Sequence, residues 1–438
     1  MILVFDMTNG GTAHVPINRG LLQAVALALP GTAVRFYAEA DHLDALRADP
    51  AMRRLPNLRF AAITLSPLHR WKTHIVSARR FWRELRTIRT ALRAATREAG
   101  SAEPHLILLA STTPTAILAA LIVARTARQS ISVQVGMHGN LNEVVGWRSR
   151  HPLIRRLDLH AMLARPARRL RLLVFETVIR EALESIIPGS LRRTDVLPHP
   201  VDTREAAGHP PPLLDGPLRI GIVGMATGSK GIDAFLRTAR LFRARHGDRI
   251  EFHIVGGRPH TIPAECFADI AHPVEIGHIP RDTFVARLAQ LHYVFLPLQP
   301  GYYSLSPSGG LMDAVAWCKP VIAARVPITE ALFDEGGDIG HLCDDLAGMQ
   351  AVLEDVLARG PDRARYEAQV AALRRLREGR GPEAQAVAYR TILRRGFPEL
   401  FRPAGGPVPS PARQHASAPA ATRAPGPEGE ERAAEEAR

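Results

Sequence analysis

Residues 296–330 read LPLQPGYYSLSPSGGLMDAVAWCKPVIAARVPITE. The run 292–298 (HYVFLPL) is apolar, of strand length, and stopped by Pro300-Gly301. Ser306-Pro307-Ser308-Gly309-Gly310 is a turn with a helix start, and 311–317 carries apolar residues at helical spacing. Cys318-Lys319-Pro320 ends that helix, and 320–324 (PVIAA) is a second buried strand. Strand, loop, helix, strand is the unit from which parallel α/β sheets are built.

The Ser-Gly-Gly turn leaves unpaired backbone N–H groups at a helix N-terminus, where the positive end of the helix dipole suits a phosphate. Glycine also lets a ligand approach the backbone closely. Asp313 lies one turn into the helix, on the face of Gly309 and Gly310, where a carboxylate can accept hydrogen bonds from two vicinal ribose hydroxyls. These residues suit a nucleotide-diphosphate pocket at the carboxyl end of a parallel sheet. They equally suit a plain βαβ turn with a capping serine and a surface aspartate.

The run SGGLMDAVAWCKPVIA (308–323) resembles the donor-site signature of GT-B glycosyltransferases, in the retaining, nucleotide-sugar-dependent branch called group 1 or family 4-like. In that family an acidic residue, an alanine, a short apolar stretch and Lys-Pro-Val-Ile-Ala close the donor pocket. Many members carry glutamate at the position of Asp313 and a second glutamate eight residues earlier, where this chain has Leu305. Tyr302, Tyr303, Ser308 and Gly309 match relatives with a Tyr-rich loop ending in Ser-Gly. The resemblance extends to 218–242 (LRIGIVGMATGSKGIDAFLRTARLF), which reads as strand, glycine-rich loop and amphipathic helix. There Gly228, Ser229 and Lys230 stand where the family binds the donor diphosphate, and Met225 replaces the usual arginine. His278, in the turn after a strand that the resemblance implies at 274–276, would lie near the base, with Arg281 beside it.

The amino-terminal half repeats the α/β pattern. Strands are expected at 2–6, 33–37, 58–65, 106–110, 132–137 and 172–176, with an Arg-rich helical stretch at 151–171. Gly10, Gly11 and His14 follow the first strand, in the loop that faces the cleft in the resembled family. Without GxGxxG it is a weak dinucleotide motif. His138 closes the strand 132–137 and is followed by Gly139 and polar residues. The resemblance puts a histidine of this region near the donor sugar; capping of the turn is the alternative. Residues 71–97 form a basic amphipathic helix, with Ala78, Phe81, Leu85, Ile88, Leu92 and Ala95 on one side and Arg79, Arg83, Arg86, Arg93 and Arg97 on the other. It suits either a solvated surface or an anionic membrane.

The net charge of +13, mostly arginine, suggests an anionic partner. Cys266, Cys318 and Cys343 have no paired or zinc-ligand spacing, which argues for a reducing compartment. No signal peptide opens the chain, and the apolar stretch 106–124 is interrupted by Ser111-Thr112-Thr113-Pro114-Thr115, so strand and helix are expected there rather than a membrane span. No nucleic-acid recognition motif is present. The expected organisation is α/β, GT-B, with two facing Rossmann-like domains: an acceptor domain at 1–200, a linker at 201–217, a nucleotide-sugar donor domain at 218–380, a crossover helix region at 381–401 and a disordered tail at 402–438. The implied reaction moves a sugar from a nucleotide-diphosphate sugar to a glycan or lipid-linked acceptor. His138, Lys230 and Asp313 are its catalytic candidates, and neither cofactor nor metal is expected. The expected location is cytoplasmic, at the inner face of the membrane. A sugar-nucleotide epimerase and a non-catalytic nucleotide- or glycan-binding protein are the rival readings.

Overall fold

Two parallel sheets, each covered by helices, make up residues 1–401. The computed structural model describes residues 1–65, 74–99, 103, 105–165, 169–206, 208–210, 212 and 214–401. The tail at 402–438 and the start of the basic segment at 71–73 lie outside the described residues.

The first sheet contains β1 (Ile2–Asp6), β2 (Val34–Ala38), β3 (Leu58–Ala62), β4 (His105–Ser111), β5 (Ile131–Met137), β6 (Leu170–Val174) and β7 (Thr194–Val196), in the order β3-β2-β1-β4-β5-β6-β7. The second contains β8 (Leu218–Val223), β9 (Ile250–Val255), β10 (Tyr293–Leu296), β11 (Val321–Ala324) and β12 (Gly340–Cys343), in the order β12-β11-β10-β8-β9. β1, β4 and β5 are buried along their whole length, as strands with helices on both faces must be. Val4 of β1 pairs with Phe36 on one side and Leu108 on the other. The register with β4 shifts between Phe5 and Asp6, so that Asp6 pairs with Ser111.

Helix Pro382–Gly396 returns to the first sheet. Its Tyr389, Ile392 and Leu393 join Ile2, Val4 and Leu22 in one apolar core, and the Tyr389 hydroxyl donates to Gln134 Oε1 at 2.7 Å. Just before it, the buried Arg380 guanidinium pairs with Glu176, which follows β6, at 2.6 Å and with Glu335 of helix Pro327–Gly336. One cation thus ties the two sheets together.

Several local expectations change. The stretch 151–171 is not one helix: Pro152–Arg155 and Leu159–Ala164 are short helices, and β6 begins at Leu170. Asp158 caps the second through the Ala161 N–H, which breaks the run. Residues 274–276 form no strand, only a single bridge from Ile276 to Arg258. β7 and β12 are short edge strands without an apolar run to announce them. The basic helix spans Ala78–Ala99, with Leu85, Ile88, Leu92 and Ala95 buried and Trp82 exposed. No helix among the described residues is long and apolar enough to cross a membrane.

Candidate active site

Parallel α/β sheets bind ligands beyond the carboxyl ends of their strands, where the strand order reverses. In the first sheet the reversal lies between β1 and β4; in the second it lies between β8 and β10. Residues following all four strands line one cavity of about 590 Å³: Thr8 and His14 after β1, Thr112 after β4, Met225 and Lys230 after β8, and Tyr302 after β10. A second cavity of about 500 Å³ adjoins it, sharing Asp202 and Met225 and reaching His278 and Arg281.

On the β8–β10 side, Lys230 ends the glycine-rich loop, and its ammonium donates to the Val223 carbonyl at 2.7 Å. Gly224 (φ 87°) makes room for it, since a Cβ there would collide with Nζ. Burial lowers the Lys230 pKa to about 8, against the opposing attraction of Asp313. Burial raises the Asp313 carboxyl to about 6, although Arg281 and Lys230 pull it down. Asp313 accepts no hydrogen bond from the described residues, so an uncommitted carboxylate faces the cavity between two cations. Arg281 is held by Glu205 at 2.8 Å and packs over the Phe284 ring at 4.5 Å.

The helix bearing Asp313 spans Gly309–Ala316. Its three candidate N-terminal residues part company. The Ser308 side chain is buried and accepts from Leu311 N at 3.3 Å, so it caps the helix. Gly310 presses on β8, where a Cβ would sit 2.9 Å from the Val223 carbonyl oxygen. Gly309 alone lines the cavity, and nothing would meet a Cβ there. Of the glycine-rich loop, Ser229 lines the cavity and Gly228 is exposed outside it.

Two signature positions act away from the cavity. Leu305, where the resembled family often has glutamate, is buried in the apolar core of the first sheet. Lys319 is also buried; it donates to the Ala289 carbonyl at 2.6 Å, closing helix Arg281–Gln290, and burial lowers its pKa to about 7.

On the β1–β4 side, the fully buried Asp6 accepts from Ser111 Oγ and Asn18 Nδ2, each at 2.6 Å, and from the backbone N–H of Thr8 and Asn9. Burial alone would raise its pKa, yet hydrogen bonds from Ser111 and Asn9, with His42 nearby, hold it below the usual value. Gly11 supplies its carbonyl to His42 Nδ1 at 2.9 Å, and neither Gly10 nor Gly11 lines the cavity. Three imidazoles then form a row. His14 Nδ1 lies 3.0 Å from His138 Nδ1, His138 Nε2 lies 3.3 Å from His199 Nε2, and His199 Nδ1 lies 2.9 Å from the Pro200 carbonyl.

No family model and no curated protein matches the sequence. Solved structures do match. A glycosyltransferase from Rickettsia africae superposes with a TM-score of 0.61 at 10% identity, over 90% of this chain and 98% of its own. The chain has the GT-B fold. Two further GT-B neighbours are 13% identical over 90% of this chain. One is the E. coli trehalose-6-phosphate structure bound with UDP-2-fluoro glucose, with a TM-score of 0.58 over 98% of its chain. The other is the Burkholderia xenovorans α,α-trehalose-phosphate synthase (UDP-forming) in complex with glucose-6-phosphate, with a TM-score of 0.54 over 99% of its chain.

Of the sequence candidates, His14, His138, Ser229, Lys230, Gly309 and Asp313 meet in the first cavity and His278 lies in the second. Gly10, Gly11, Gly228, Ser308 and Gly310 line neither. Nothing in the sequence motifs marks Asp6, His199 or Asp202 as site residues. Asp6 ends a predicted strand with a charged residue, which is a signal; His199 and Asp202 sit in an irregular segment that only the folded chain brings to the cavity.

Proposed function

We propose that this protein is a glycosyltransferase that moves a sugar from a nucleoside-diphosphate sugar to a hydroxyl acceptor. The observation that carries this reading is Asp313, a carboxylate that accepts no hydrogen bond from the described residues, lining one cavity with Lys230 and the open helix end at Gly309 between two switch points. In this reading Asp313 takes the ribose hydroxyls. Lys230 and the Gly309 N–H take the diphosphate, whose charge grows as the anomeric bond breaks. That charge is met by protein groups, so the proposed chemistry needs no resident metal, and the expected course is retention. Residues 1–200 would offer the acceptor and 218–380 the donor, with the two sheets excluding water.

The test is a thermal-shift panel of UDP, GDP, ADP and their common sugars on wild type and Lys230→Ala. UDP and UDP-glucose come first, because one fold neighbour was solved with a UDP-sugar analogue. A ligand that binds only the folded state raises apparent stability. A selective shift lost in Lys230→Ala supports the pocket; no shift with any nucleotide removes the donor.

One observation favours a second reading. Leu305 packs into the first sheet's core instead of facing a donor. A non-catalytic nucleotide- or glycan-binding protein tolerates that loss more easily than a transferase, and a sugar-nucleotide epimerase is the rival among enzymes. Conversion of donor alone identifies the epimerase, and nucleotide binding without turnover the binding protein.

The natural acceptor in this proposal is a cell-surface glycan or a lipid-linked sugar, reached from the cytoplasmic face of a membrane. The arginines of helix Ala78–Ala99 and the exposed Trp82 (62% accessible) support an anionic lipid surface as partner. Equal flotation with neutral and anionic vesicles removes that partner.

A further inference from the structure

We infer that His199 and His138 fix His14 as its Nδ1–H tautomer and so make His14 Nε2 the lone pair in the cleft that accepts a hydrogen bond from a hydroxyl of the acceptor. This deepens the transferase reading, on which the word acceptor rests.

The order of protons follows from the far end of the row. The Pro200 carbonyl can only accept, so His199 Nδ1 carries hydrogen and its Nε2 is a lone pair. His138 Nε2 therefore donates to His199, which leaves His138 Nδ1 as a lone pair. His14 Nδ1 donates to that lone pair, and His14 Nε2 is left with its own lone pair. No described residue bonds to it, and His14 lines the cavity. Both nitrogens of His138 are engaged inside the row. The role that the family resemblance gives to a histidine near the donor sugar is closed to them, and the free nitrogen of the cleft belongs to His14.

The backbone supports a functional assignment. His14 has φ 60°, one of two non-glycine residues in the left-handed region among those described. Such strain concentrates where a site demands it. His14 also occupies the N-cap of helix Val15–Ala28 without using its side chain to cap. Its ring meets His138 edge-on, with centroids 4.8 Å apart.

The row orients; it does not store a proton. His14 faces Asp6, His42 and His138, while the His199 backbone N–H donates to Glu176 and the Arg380 cation lies nearby. Burial, with Arg380 adding to it, lowers the His199 pKa to about 4. Burial also lowers His14 and holds His138 well below the ordinary imidazole value, so a charge is disfavoured on every ring of the row and all three stay neutral near pH 7. His138 and His199 are positioning residues.

The experiment uses the full chain labelled with ¹⁵N-histidine and long-range ¹H–¹⁵N spectra at pH 7.5. The expected result is neutral rings, with His14 and His199 as Nδ1–H and His138 as Nε2–H. His14 as Nε2–H, or as imidazolium, overturns the inference. Molar glycerol is the hydroxyl probe: it should move the His14 Nε2 resonance and leave both His138 nitrogens in place, and an unmoved Nε2 also overturns the inference. His199→Phe removes the acceptor for His138 and should give His14 a mixture of tautomers. His199→Gln, whose carbonyl can accept from His138, should restore the single form, and a mixture in both or in neither counts against the row. The UDP thermal shift reports the donor reading separately, so either can fail alone.

Discussion

Each switch point carries a carboxylate, Asp6 buried beneath the loop after β1 and Asp313 lining the cavity, and the two have opposite fates. Asp6, at the end of β1, accepts from Ser111, Asn18, Asn9 and Thr8, and its pKa falls below the ordinary value. Asp313, one turn into helix Gly309–Ala316, accepts nothing from the described residues, and its pKa rises to about 6. Burial acts upward on both, so hydrogen bonds decide the sign. The saturated carboxylate holds loops in place, whereas the unsaturated one, near Arg281 and Lys230, is the one the proposed function gives to a ligand.

The sharpest way to break this contrast is Asp6→Ala. It strands the Asn18 and Ser111 donors in the interior and should cost roughly 3–5 kcal/mol of stability, as lost buried charged partners do. Chemical denaturation measures it, and a loss below 1 kcal/mol would mean that Asp6 is not a structural hub. Next, Lys230→Ala should lower kcat/KM by about 10²–10³-fold, as removal of a preorganised charge stabiliser does, with the unfolding midpoint little changed.

Asp313→Asn should move two readouts in opposite directions. A carboxyl pKa raised on folding favours the folded state below the unfolded value of 3.8, and that benefit is lost as pH rises through about 6. At pH 7 the ionised carboxylate therefore opposes folding, so the amide should raise Tm while nucleotide affinity falls about tenfold. A parallel fall of both would make Asp313 another Asp6. The same groups predict the pH profile. Donor capture needs Asp313 ionised and Lys230 charged, so kcat/KM should fall tenfold per unit below about 6 and above about 8. A flat profile across those limbs would remove the pair. The smallest effect is Ser308→Ala, which removes a helix cap and should cost about 1 kcal/mol without changing nucleotide specificity.

Much of the second sheet's side of the cleft is legible along the chain because its parts are local. The glycine-rich loop puts Lys230 at its end, and the turn, helix and following strand of 306–324 lie within one βαβ step. Even there, sequence does not separate Ser308, Gly309 and Gly310, because capping, lining and packing are decided by what lies opposite. Leu305 shows the same limit: its burial depends on the first sheet, which no nearby residue reveals.

The sequence by itself determined the alternation of buried strands and amphipathic helices, and with it two parallel α/β layers. Period and apolar run length are properties of neighbouring residues. Only the tertiary structure decided that Asp6 is satisfied and Asp313 is not, and that Arg380 binds Glu176 and Glu335. It also lined up His14, His138 and His199, which are far apart along the chain. A hydrogen bond or a desolvated charge depends on the few ångströms around it, and those are set by which strand ends meet in space.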